Sequence, residues 1–126
     1  GQTSVGRDVI VQGSIACRRS LVAGGSLVSA GSVRAIQGVL AGAEIDCGMH
    51  LEAGWGIKAA GAIQARGAIR SGESLSTFET IRAGAGYGVF AGLNVQMEAW
   101  ESSARVCARE KPEGLMSGWW AGVRDV

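Results

Sequence analysis

The stretch EAGWGIKAAGAIQARGAIRSGES, residues 52–74, decides the fold, because an isoleucine returns in it every six residues, at Ile57, Ile63 and Ile69. Little more than alanine and glycine fills the space between these isoleucines. The six-residue beat extends in both directions and is apolar at every step from residue 9 to residue 93. Its members are Val9, Ile15, Leu21, Leu27, Val33, Val39, Ile45, Leu51, Ile57, Ile63, Ile69, Leu75, Ile81, Tyr87 and Leu93. A second series of mostly small residues follows two positions after each beat.

This period favours short strands over a helix. A helix requires apolar positions three and four residues apart, which a period of six does not provide. In a strand, the beat and the residue two later point to one face, and the residue between them points outward. That middle residue is often polar or charged, as at Arg34, Asp46 and Lys58. Glycine and alanine crowd the next positions, where a tight corner needs a permissive backbone. The pattern predicts a β-solenoid.

The predicted class is all-β, a single-stranded, three-sided β-helix with about 18 residues in each coil and about five coils. Successive coils lie about 4.8 Å apart, so identical positions stack inside a narrow tube. One large aliphatic and one small residue per strand fill such a tube, and larger residues would overpack it. We expect residues 1–95 to form the solenoid and residues 96–126 a C-terminal cap of the same domain.

The repeat resembles bactofilin-type and hexapeptide-repeat β-helices over residues 9–95. It departs from the left-handed acyltransferase pattern, which has a small residue four positions after the beat. Large residues stand there instead, among them Arg19, Gln37, Met49, Trp55, Glu73 and Glu79. This departure predicts a right-handed coil.

The beat stops after residue 95, and the ending holds three of the four tryptophans, Trp100, Trp119 and Trp120. The sequence KPEG, with Pro112 and Gly114, is typical of a turn. It predicts a hairpin between ARVCARE and LMSGWWAGV, and a helix over residues 96–110 is the competing interpretation. In either case the tryptophans are expected to cover the last coil, whose backbone and core would otherwise be exposed.

One column of the repeat differs from the other two. The beats at 15, 33, 51, 69 and 87 carry large side chains at their corners and charges at their outward positions. Large and aromatic side chains gathered along one edge are typical of a contact surface. The alternative interpretation is that corners tolerate residues of any kind and that these side chains are simply solvated. The candidate partner-binding residues are Arg19, Arg34, Gln37, Glu52, Trp55, Arg70 and Glu73. Arg34, Glu52 and Arg70 are also expected to form a cross-strand ladder of alternating charge, which would stabilise the sheet without any partner.

No enzyme signature is present in the sequence. His50 is the only histidine and has no nucleophile at a diagnostic spacing. The three cysteines have no metal-ligand spacing, and Cys17 and Cys47 fall at inward positions that predict core residues. GAGYGVFAG lacks the lysine of a phosphate loop. We therefore expect no catalytic residues, no cofactor and no metal.

The composition limits the class of protein and the cellular compartment that the sequence predicts. A net charge of +1 gives no nucleic-acid footprint, and no apolar run reaches the length of a membrane span. With 47% hydrophobic and 18% charged residues, the chain does not have the composition of a disordered protein. An odd number of cysteines without paired spacing predicts a reduced, cytoplasmic compartment.

Three functions follow from these observations. The leading one is a protein-binding module, monomeric or a small closed oligomer, because a tryptophan-rich cap at one end argues against stacking of copies end to end. The texture of stretches such as AGWGIKAAG also resembles small immunity proteins of bacterial contact-dependent and polymorphic toxin systems. That resemblance implies a cognate toxin as partner. The alternative is a bactofilin-like scaffold that polymerises end to end, although a tryptophan-rich cap would block one end. A hexapeptide acyltransferase ranks third, since it normally has a catalytic histidine, a trimer and a longer chain.

Overall fold

The computed structural model describes residues 3–94 and 103–122, and within them the chain forms short strands joined by corners. The strands are β1 Thr3–Val5, β2 Val9–Val11, β3 Ile15–Cys17, β4 Leu21–Ala23, β5 Leu27–Ser29, β6 Val33–Ala35, β7 Val39–Ala41, β8 Ile45–Cys47, β9 Leu51–Ala53, β10 Ile57–Ala59, β11 Ile63–Ala65, β12 Ile69–Ser71, β13 Leu75–Thr77, β14 Ile81–Arg82, β15 Val89–Phe90, β16 Arg105–Cys107, β17 Leu115–Ser117 and β18 Trp119–Trp120.

These strands stack into three parallel sheets. Sheet A runs β1-β4-β7-β10-β13-β16-β18, sheet B runs β2-β5-β8-β11-β14, and sheet C runs β3-β6-β9-β12-β15-β17. In the regular part each strand pairs with the strand 18 positions later, as Ile57 pairs with Leu75. The chain therefore winds as a three-sided β-solenoid of about six turns. The predicted fold class is confirmed, the estimate of about five coils is close, and the right-handed coil stays a prediction.

The inward and outward assignment follows the sequence pattern. β6 to β8 and β10 to β12 each show a buried, exposed, buried alternation. Hydroxyl residues at the small inward position bond to corner carbonyls instead of leaving a polar group unpaired. Ser29 Oγ donates to Gly13 O at 2.6 Å, and Ser71 Oγ donates to Trp55 O at 2.8 Å. The core is thus a stack of aliphatic side chains lined by small residues, some of which anchor the corners.

The beat fails at Tyr87, which was expected to point inward. Tyr87 is 48% exposed and Leu93 is 49% exposed, whereas Val89 and Ala91 are fully buried. A turn at Ala85 and Gly86, where Gly86 has φ of 82°, adds two residues to the corner before β15. Val89 therefore pairs with Ile69, 20 positions earlier, and Phe90 takes an outward strand position instead of a corner.

The predicted C-terminal hairpin is wrong. β16 pairs in parallel with β13 and β18 in sheet A, whereas β17 pairs in parallel with β15 in sheet C. Gly114 does lie in a turn, with φ of 76°, but that turn connects two sides of the solenoid. A hairpin would satisfy the backbone of β16 and β17 yet leave β13 and β15 as open edges, so stacking satisfies more hydrogen bonds. The competing prediction of a helix over residues 96–110 is wrong for Arg105–Cys107, which form a strand. Its residues 96–102 lie outside the described part of the chain.

The described tryptophans of the ending lie on the last coil. Trp119 and Trp120 form β18; Trp120 Nε1 donates to Ala108 O at 2.9 Å, and the Arg105 guanidinium lies 5.4 Å from the Trp119 ring centroid. Trp100 lies outside the described residues. The contact of Trp120 with Ala108 supports the capping role, which stays a prediction.

Candidate functional site

The corner between sheets C and A places four of the seven candidate residues in one vertical line. Gln37 N donates to Arg19 O at 3.2 Å, Trp55 N donates to Gln37 O at 2.9 Å, and Glu73 N donates to Trp55 O at 3.2 Å. Each residue therefore sits one coil above the previous one. We call Arg19, Gln37, Trp55 and Glu73 the edge stack.

The other three candidates form a second line on the adjoining face of sheet C. Arg34, Glu52 and Arg70 occupy aligned outward positions of β6, β9 and β12. Arg34 Nε lies 4.0 Å from Glu52 Oε2, and Arg70 Nη1 lies 3.5 Å from Glu52 Oε1. The predicted charge ladder is thus present. Such exposed pairs contribute only about 0–1 kcal/mol each to stability, so the fold does not depend on the ladder.

Phe90 continues the ladder by one coil. It pairs in register with Arg70, whose guanidinium carbon lies 5.7 Å from the ring centroid, within cation–π range. Arg70 is therefore held between a carboxylate below and an aromatic ring above. This arrangement was hidden from the sequence, because the unbroken beat assigned Phe90 to a corner.

A groove of 320 Å³ is lined by the charge ladder and by residues of the adjoining corner. Its floor is small residues such as Gly54 and Gly72, and its walls include Ile36, Leu93 and Asn94. Asn94 Nδ2 donates to Gly54 O at 3.0 Å and so ties the upper wall to the floor. Ile36 belongs to the irregular column but was not among the seven candidate residues. Leu93 and Asn94 were not considered for the site, although the Gly92-Leu93-Asn94 ending of the repeat is a turn signal.

Trp55 is the most prominent side chain of the edge stack. It is 50% exposed and lies between Gly54 and Gly56. Its backbone N–H bonds to the coil below, and its carbonyl accepts from Ser71 Oγ and from the Glu73 N–H of the coil above. The backbone is fixed on both sides while half of the side-chain surface is available for contact.

The cysteines and His50, the remaining residues with reactive side chains, have environments that indicate structural roles. Cys17, Cys47 and Cys107 are buried, which confirms the first two as core residues. Burial, with the nearby Asp46 carboxylate, raises the pKa of the Cys47 thiol to about 12, which suppresses the reactive thiolate. His50 Nδ1 accepts a hydrogen bond from Ala68 N at 2.9 Å, and its ring packs edge-on against Tyr87 at 5.5 Å.

Residues 3–94 and 103–122 contain no group of three histidine, cysteine or carboxylate side chains placed to hold a metal ion. Nor does any helix in these ranges have the length and apolar character needed to cross a membrane.

No protein-family model, curated protein or solved structure matches the chain, so the resemblances to bactofilin-type β-helices and to immunity proteins give it no family assignment.

Proposed function

We propose that this protein is a non-enzymatic protein-binding module whose binding surface is the edge stack together with the charge ladder. The observation that carries the proposal is Trp55, a half-exposed aromatic side chain on a corner held by hydrogen bonds to the coils on both sides. Tryptophan and arginine are the residues in which binding energy concentrates at protein interfaces. The nearby groove, with Ile36 and Leu93 in its walls, extends the apolar contact that a partner would make.

Rigidity supports this interpretation. The seven candidate residues sit on a backbone bonded coil to coil, so little conformational entropy is lost when a partner binds. The net charge of +1 is too small for long-range attraction. Orientation must come from local charges, which the Arg34–Glu52–Arg70 ladder supplies in an alternating order that a complementary surface can match.

The partner that we propose is a bacterial toxin, which this protein binds and neutralises in the cytoplasm as an immunity protein. The support is the resemblance in sequence texture and the suitability of a small, rigid surface for blocking another protein. No step of this function needs a cofactor, a metal, a nucleic acid or a membrane.

Affinity purification from the native source, followed by a growth assay, tests the function. The captured protein, expressed alone in bacteria, should arrest growth, and co-expression of the wild-type module should restore it. Trp55→Ala should fail to restore growth while keeping the thermal melting of the wild type. Lys58→Ala, exposed on sheet A, is the matched control and should rescue fully. A captured protein without toxicity contradicts the immunity function, and rescue by Trp55→Ala contradicts the assigned surface.

A bactofilin-like self-assembling scaffold is the second candidate, and the first coil is the observation that favours it. Val9 and Ile15 are only partly buried, whereas their counterparts in the coils above, Leu27 and Val33, are fully buried. A second copy stacked below the first coil would bury them. Electron microscopy of the purified protein distinguishes the two candidates, since filaments support the scaffold and dispersed particles support the binding module.

A further inference from the structure

Sheet B contains a regular series of hydrogen bonds that stops at Ile81. The first residue of each strand donates its N–H to a carbonyl in the coil above. Val9 donates to Ser26 O at 2.8 Å, Leu27 to Glu44 O at 2.8 Å, Ile45 to Ala62 O at 2.9 Å and Ile63 to Thr80 O at 2.9 Å. Ile81 is the next residue in this series, and its N–H has no acceptor within residues 3–94 and 103–122.

The other two sheets continue past this level. β16 stacks on β13 in sheet A, and β17 stacks on β15 in sheet C. Above β14 the described chain instead forms the turn at Glu110–Gly114, which contributes no strand to sheet B. A groove of 620 Å³ lies between this turn and the segment from Thr80 to Tyr87. The sixth coil therefore has a groove where a strand of sheet B would lie.

We propose that this groove is a docking site for an extended segment of a partner protein, which adds one strand to sheet B above β14. Its volume lies within the range of about 300 to 1,000 Å³ that is usual for ligand-binding sites in proteins. Strand addition at an open sheet edge draws its affinity from main-chain hydrogen bonds, and the free N–H of Ile81 is the first of these. β16 and β17 already occupy this level of sheets A and C, so a strand can be added above β14 but a complete coil of a second copy cannot.

The pleat of sheet B specifies the side chains that the segment must carry. A residue opposite Ile81 points inward onto a core that is aliphatic at every level of this column. A residue opposite Arg82 points outward beside its guanidinium, which has no ion pair within the described ranges. Arg66 and Asp46 both line the adjoining groove, so the preference for an acidic residue rests on Arg82, which the two grooves share. The expected segment therefore reads aliphatic, acidic, small, which is also the pattern of Leu51-Glu52-Ala53.

This site is independent of the proposed function. It lies on sheet B and at the corner that follows it, whereas the edge stack lies between sheets C and A. Loss of one surface leaves the other intact.

The probe is a capped peptide of residues 49–54, Met-His-Leu-Glu-Ala-Gly, added to the isotope-labelled full chain and followed by NMR. We expect shifts confined to Thr80–Tyr87 and Glu110–Gly114. Hydrogen exchange at the Ile81 amide should slow by tenfold or more near saturation, while exchange at Ile63 stays unchanged. Replacing the peptide glutamate by lysine should weaken binding about two- to fivefold. Arg82→Glu should reverse that preference, and Lys58→Glu should leave it unchanged.

Three outcomes overturn the proposal. The first is an Ile81 amide that exchanges as slowly as Ile63 in the free protein, because the edge would then already be closed within the chain. The second is the absence of shifts at these residues at a peptide concentration of about 5 mM. The third is concentration-dependent self-association that protects Ile81 without any peptide, which would assign the groove to a second copy.

Discussion

Neighbouring residues in a strand differ in their tolerance of a charged substitution, because one points into a narrow core and the next into solvent. Ile57 is buried on β10, and Lys58, one residue later, is exposed. The sequence predicted this difference correctly wherever the six-residue beat holds.

We expect Ile57→Asp to unfold the protein, because a carboxylate without a partner would be placed among stacked aliphatic side chains. Lys58→Asp should change the free energy of unfolding by no more than about 0.5 kcal/mol, as is usual at exposed positions. Circular dichroism during urea unfolding measures both changes. Equal losses would show that the inward and outward faces are assigned incorrectly.

Cys47 makes the free energy of unfolding depend on pH in the alkaline range. Its thiol pKa is raised from 9.0 to about 12 by burial and by Asp46, so the unfolded chain loses this proton before the folded chain does. The free energy of unfolding should therefore fall as pH rises between these two values and be unaffected by this thiol at lower pH. The slope for one proton is about 1.4 kcal/mol per pH unit.

Cys47→Ala tests this dependence, since Ala65 occupies the equivalent position in the next coil. From about pH 8 to about pH 10.5, the wild type should lose about 2 kcal/mol more than the variant. Urea unfolding at the two pH values gives both losses. Parallel pH dependences would contradict the buried, protonated thiol.

Among the secondary-structure elements, strand starts from β2 to β14 could be predicted from the sequence because large and small inward residues alternate without interruption. The shift before β15 could not, because Tyr87 is apolar enough to continue the beat. In the sequence, Val89 and Ala91 fit the large and small inward positions as well as Tyr87 and Val89 do, so the pattern does not distinguish the two registers. The hairpin prediction failed for a related reason: a turn at Pro112 and Gly114 reveals a change of direction but not which strands pair across it.

The corner between β17 and β18 provides a test of how the C-terminal segment stacks. Gly118 has φ of 99°, and a Cβ there would lie 2.8 Å from both Ala104 O and the Ala91 Cβ. Gly86 has φ of 82° with nothing within 4 Å of such a Cβ, so it controls for backbone strain alone.

Alanine at either position should cost about 1–2 kcal/mol from the left-handed backbone. Gly118→Ala should lose a further 1–3 kcal/mol, roughly, because Ala104 and Ala91 must move. Chemical denaturation of both variants gives the difference. Equal losses would mean that this corner does not pack on the coil below it.

For the whole molecule, the register that builds the core also builds the candidate surface. Because coils repeat every 18 residues in the regular part, residues far apart in sequence such as Arg19 and Glu73 fall on one line. The edge stack and the charge ladder could therefore be predicted from the period alone. The groove lined by the ladder could not, since Leu93 and Asn94 reach it only through the irregular fifth coil.

The most direct test of the proposed function is the affinity of the co-purifying partner for two single variants, measured by isothermal titration calorimetry. Trp55→Ala should weaken binding by about 2 kcal/mol or more, roughly 30-fold, with unchanged thermal melting. Phe78→Ala is the matched control, because Phe78 is an exposed aromatic residue at the corner between sheets A and B. It should bind like the wild type. Unchanged affinity for Trp55→Ala, or an equal loss for both variants, would contradict the assignment of binding to the edge stack.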